Sequence, residues 1–92
     1  MSQIRVERKH NLGRQAAREK AELLVQKLVS KYDIRAQWDG DTVEVKRSGA
    51  NGVISIDDDT IRVDIKLGMM LSMMSGTIES EIQRVLDKAL QA

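Results

Sequence analysis

Four sets of residues in this sequence could do chemistry. Met69, Met70, Met73 and Met74 fall at i, i+1, i+4 and i+5, a broad stripe if their segment is helical. Methionine is flexible and polarizable and suits surfaces that accept varied apolar partners. The stripe therefore suggests a contact site for a partner protein, a lipid-like ligand or a polymer surface. Such stripes more often fill irregular core, so at least two of the four are expected to turn inward. Six consecutive residues cannot all face inward on a helix, so some exposure is expected as well. Trp38 stands beside Asp39 and Asp41, two carboxylates next to an indole that could hold a ligand. Asp57-Asp58-Asp59 could attract a cation but lacks the spacing and glycine of a calcium loop, so it reads as a turn. His10 is the only histidine and the chain has no cysteine. That leaves no thiolate ligand, no disulfide and no paired imidazole, and places His10 at a strand-to-helix junction.

No serine, histidine and aspartate fall in an order that suggests an activated nucleophile. Ser48-Gly49-Ala50-Asn51-Gly52 joins two strands, whereas a phosphate cradle needs a strand-to-helix setting. No catalytic residue, metal site or cofactor is expected, and the protein reads as a non-enzyme.

The elements that position these residues follow from periodicity. Ile34 to Leu67 reads as four short strands in succession. Asp39-Gly40 suits a two-residue hairpin loop, which would set Trp38 opposite Asp41, Ala36 opposite Val43 and Ile34 opposite Val45. A four-residue turn at Ser48–Asn51 would then set Val45 opposite Ile54 and Val43 opposite Ile56. A tight turn at Asp58-Asp59 sets Ile56 opposite Ile61 and Ile54 opposite Val63. All these apolar residues share one face, while Arg35, Gln37, Glu44, Lys46, Arg62, Asp64 and Lys66 share the other. Arg35 is expected to face Glu44, and Val53 to lie outside the core.

Gln3 to Lys9 alternates as an edge strand. A helix capped by Asn11 should run from Leu12 or Gly13 to about Tyr32. Its stripe is Ala17, Ala21, Leu24, Leu28 and Tyr32, with Leu23, Val25 and Val29 widening or flanking it. A last helix should begin near Ser75 or Thr77, with Ile78, Ile82, Val85 and Ala89 inward. Glu79 and Glu81 suit the helix dipole in its first turns.

The expected architecture is α+β, with two layers in one domain spanning residues 1–92. A five-stranded antiparallel sheet of order 2-3-4-5-1 carries two helices on one face, in the sequence β-α-β-β-β-β-α. It resembles a reduced helix-grip arrangement.

Composition narrows the functions. The 92 residues are 41% hydrophobic, enough for a modest core built almost wholly of aliphatic side chains. No apolar run approaches the roughly 20 residues of a membrane span, and Met1 to His10 lacks the apolar region of a secretion signal. A cytoplasmic location is expected. The net charge of +1 is uneven, about +5 over residues 1–35 and −4 over the rest. Arg5, Arg8, Lys9, Arg14 and Arg18 could touch phosphates, but the solvent face of the sheet has no aromatic residues for stacking bases. Nucleic acid is therefore the weakest of the expected partners.

Several short motifs run through the chain in order: His10-Asn11-Leu12-Gly13 with Ala17-Arg18, Trp38-Asp39-Gly40-Asp41, Arg47-Ser48-Gly49, Gly52, Lys66-Leu67-Gly68, and Ile78-Glu79-Ser80-Glu81-Ile82. Together they resemble the bacterial polyhydroxyalkanoic acid system proteins, also described as a polyhydroxyalkanoate granule region family. The resemblance implies a cytoplasmic bacterial protein associated with polyester storage; with the Met69–Met74 stripe it suggests a non-enzymatic accessory protein that touches the granule, its lipid-like coat or a granule protein. It supplies no catalytic residue. Family members often carry aromatics or a proline where this chain has Met69–Gly76. The alternative is a small lipid-like ligand carrier, or an enzyme, with a pocket between sheet and C-terminal helix.

Overall fold

The computed structural model describes residues 2–90. Five strands and three helices follow one another: β1 (Ser2–Lys9), α1 (Gly13–Tyr32), β2 (Arg35–Asp39), β3 (Thr42–Arg47), β4 (Ala50–Ile56), β5 (Thr60–Leu67), α2 (Met69–Ser72) and α3 (Ser75–Ala89). The sheet is antiparallel with order β1-β5-β4-β3-β2, the expected arrangement. The one-turn helix α2 is an addition to the expected pair.

The apolar face forms as alternation requires. Val43, Ile54 and Val63 lie in one row across β3, β4 and β5, and each is 1% exposed or less. Ile4 and Val6 extend this face along β1, opposite Ile65 and Val63. Ala17, Ala21, Leu24, Val25 and Leu28 of α1 cover it, together with Ile78, Ile82 and Leu86 of α3. Each large aliphatic side chain so enclosed contributes roughly 1.5–3 kcal/mol of hydrophobic stabilisation. Leu23 and Val29 remain largely exposed, and Val53 lies outside as expected.

Two of the three hairpin registers differ from expectation by two residues. In the first, Trp38 lies opposite Val43 and Ala36 opposite Val45, because the loop is Gly40-Asp41. Gly40 alone takes a positive φ there, +62°, and a glycine at the first loop position suits a turn of the II′ kind. In the second, Val43 lies opposite Ile54 and Val45 opposite Gly52. Gly49, with φ +86°, closes a two-residue loop where four residues were expected. The third register, at Asp58-Asp59, is as expected. A shift of two preserves every side chain's face, so the core is unchanged while the outer pairs are not. Arg35 faces Lys46 rather than Glu44.

The start of α1 also differs. Asn11 does not cap it; Leu12 holds the N-cap position without a side-chain cap. The His10 ring instead holds the N-cap residue itself, accepting the Leu12 N–H. At the other end Asp33 adopts the left-handed conformation that commonly stops a helix, and Arg47 Nη1 donates to the Tyr32 carbonyl at 2.7 Å.

Candidate functional site

β5 ends at Leu67 and hands the chain to the methionine segment through Gly68. The Gly68 N–H donates to the Gly49 carbonyl at 2.7 Å, which fixes the segment beside the β3–β4 turn. Ser72 then closes α2: its N–H and its hydroxyl both donate to the Gly68 carbonyl, at 3.0 and 2.9 Å. A single turn so closed directs one side chain inward, and that residue is Leu71, which packs on the core near Tyr32 and Ile78. The methionines are left outside. Met69, Met70 and Met73 are 82%, 85% and 92% exposed, and Met74 is 42% exposed. The expectation that at least two of them fill the core fails, because Leu71 takes that place. The helix is interrupted at Met73 and Met74, and α3 begins at Ser75.

Trp38 lies toward the other end of the sheet, next to the β2–β3 turn, so the structure does not join it to the methionines. The Arg18 guanidinium stacks over its ring, 4.5 Å from the centroid. Asp41, just beyond Trp38, is already paired with Arg14 at 3.2 Å and lies 3.9 Å from Arg18. Arg14 also reaches Asp58 at 3.2 Å. These contacts tie the first half of α1 to two hairpin turns, and they occupy one of the two carboxylates that could have held a ligand.

His10 is buried at the same end. Its Nδ1 accepts the Leu12 N–H at 3.2 Å, so the proton of the neutral ring sits on Nε2, which donates to the Asp57 carbonyl at 3.2 Å. The His10 N–H donates to the Asp59 carbonyl at 2.8 Å. The ring therefore joins the start of α1 to the β4–β5 turn. Asp58 pairs with Arg14, and Asp59 accepts from the Thr60 hydroxyl. Among the described residues no three His, Asp or Glu side chains are gathered as metal ligands would be.

The N-terminal basic residues do not form one patch. Arg5 pairs with Asp64, Arg8 with Asp87, and Arg14 with Asp41 and Asp58. They are divided between the outer sheet face and the helix layer.

The sequence reads Glu81 as a dipole partner and does not show its burial. It is only 7% exposed, held by Arg84 and by Lys31 Nζ at 3.4 Å, while its Oε1 has no hydrogen-bond partner among the described residues. The Arg84 hydrogen bond lowers the carboxyl pKa below its ordinary 4.5; burial opposes this, and Lys31 adds to the lowering. The signal was its spacing: Glu81 lies three residues after Ile78 and four before Val85, on the inward stripe.

The interior between sheet and helices is closely filled. The enclosed space among Tyr32, Ile34, Leu67, Leu71 and Ile78 is about 20 Å³, room for one water. No helix among the described residues is long and apolar enough to cross a membrane.

Fold and surface thus define a two-layer α+β protein with an apolar lip at one end. The chain belongs to the polyhydroxyalkanoic acid system protein family, whose model, described as "Putative polyhydroxyalkanoic acid system protein", matches residues 4–90. No curated protein matches it. Its fold is similar to that in the NMR structure of PA4090 from Pseudomonas aeruginosa, with a TM-score of 0.55 and 7% sequence identity over 99% of this chain and 92% of that one. At that identity the likeness concerns fold alone.

Proposed function

We propose that this protein is a non-enzymatic accessory of the polyhydroxyalkanoate storage system that rests on the granule, or on a granule protein, through Met69, Met70, Met73 and Met74. The observation that carries the reading is the exposure of four methionines on one six-residue segment anchored at both flanks. Large apolar side chains gathered outside the core mark interaction surfaces more often than isolated ones do. Family membership supplies the context of polyester storage.

The alternative, a carrier or enzyme with an internal pocket, has little support. A drug-sized ligand needs roughly 300–1,000 Å³, far above the enclosed space at the sheet–helix boundary.

The test is partition onto isolated granules, comparing the wild type with M70S/M74S. The variant should keep its melting temperature and lose most of its partition. Unaltered partition with the fold intact would refute the methionine surface.

A further inference from the structure

The true hairpin registers assemble a feature of the outer sheet face that the expected ones do not. Gln3 lies opposite Lys66, Lys66 opposite Asn51, Asn51 opposite Lys46, and Lys46 opposite Arg35. This row crosses all five strands with three cations, two amides and no acid. The next row inward holds Arg5, Asp64, Val53, Glu44 and Gln37, and the one after it Glu7, Arg62, Ser55, Thr42 and Asp39. Cations and acids are mixed in both. This acid-free row is the one nearest the β3–β4 turn and Gly68, the end that carries the methionines.

The row also carries a cost. Arg35 and Lys46 are like charges set directly opposite each other, an unfavourable cross-strand pair. Lys46 is partly relieved by Glu44 at 3.4 Å. Among the described residues Arg35 and Lys66 have no ion-pair partner. A shallow, open depression of about 750 Å³ lies between Arg35, Lys46 and Arg47, with Asp33 and Glu44 among its other lining residues.

We infer that the methionine lip and the row Arg35, Lys46 and Lys66 form one docking edge for an anionic lipid interface. The methionines enter the acyl boundary, and the cations meet headgroup phosphates. Charge decides between occupants. A neutral polymer surface or an apolar protein groove would use the methionines and gain nothing from three cations aligned at the same end of the sheet. An interface with buried chains and negative headgroups uses both. The inference deepens the proposed granule contact by naming the chemistry it recognises, and it can fail while that contact stands.

The experiment is co-sedimentation of the whole protein with vesicles of phosphatidylcholine, with and without phosphatidylglycerol. Binding is expected with phosphatidylglycerol and should weaken as salt is added. K46Q/K66Q should weaken it roughly 25-fold, at about fivefold for each basic residue. M70S/M73S should abolish it, with an unchanged melting temperature in both variants. Absence of binding to the anionic vesicles at low salt would overturn the inference, as would binding indifferent to K46Q/K66Q. If granule partition is lost in M70S/M74S while wild-type protein ignores anionic vesicles, the contact is with polymer or protein; the lipid inference then falls and the granule reading survives.

Discussion

Gly68 donates its backbone N–H to the carbonyl of Gly49 at 2.7 Å, and this bond sets the most apolar stretch of the surface beside the β3–β4 turn. A six-residue loop rich in methionine would otherwise be free to fold back on the core. Here the bond to Gly49, the Ser72 closure and the inward Leu71 hold it off. The methionines can therefore be changed with little effect on the fold: each single serine substitution should alter stability by no more than about 0.5 kcal/mol, measured by urea denaturation.

Gly52 admits no side chain. A Cβ there would lie 2.5 Å from the Asp64 carbonyl oxygen and 2.8 Å from the Ile65 Cα, both backbone atoms that cannot swing away. Gly52→Ala should cost on the order of 1–3 kcal/mol. A chemical denaturation midpoint equal to that of wild type would contradict the close strand approach.

His10→Ala should remove two hydrogen bonds at once and leave the Asp57 carbonyl and Leu12 N–H to find other partners. A loss of about 1–3 kcal/mol is expected, and amide exchange should quicken first at the start of α1. Unchanged protection there would show that the ring is not the joint between α1 and the β4–β5 turn.

Glu81 makes stability depend on acid. Its folded pKa is lowered, so its contribution is complete above the ordinary value of 4.5 and disappears as pH falls through the folded value. Wild type should exceed E81Q in stability at neutral pH, and the gap should close as the solution is taken below 4.5. A gap independent of pH would place the effect in packing rather than in charge.

Arg35→Glu would convert the like-charge pair with Lys46 into an opposite-charge one. It should raise stability by roughly 0.2–1 kcal/mol, while binding to anionic vesicles falls. A variant that gains stability and loses docking would show that the fold tolerates repulsion for the sake of the surface.

Much of this architecture was legible in the sequence, and the limits were physical. Alternation fixes which face a side chain takes, so Val43, Ile54 and Val63 could be placed in the core without knowing their partners. It does not distinguish registers that differ by two residues, because both bury the same set. Only the turn decides, and Gly40 and Gly49 each allow more than one. The third hairpin was readable because Ile56 and Ile61 leave Asp58-Asp59 little choice. The cationic row depends on partner identity, so it was out of reach until the registers were known. The methionine spacing showed a stripe but not its direction, which Leu71 and Ser72 determine through contacts distant in sequence. Glu81 lay on an inward stripe, but an acid there reads as a dipole partner until Lys31 is seen to approach it from another helix.

Trp38 sits at the β2–β3 end under Arg18, remote from the methionines. Emission from Trp38, excited selectively over Tyr32, will therefore report whether the molecule is intact and will stay silent while its far tip engages a surface. With no cysteine in the chain, one thiol introduced at Met73 could carry a polarity-sensitive dye to that tip, giving the two ends of the protein separate optical voices.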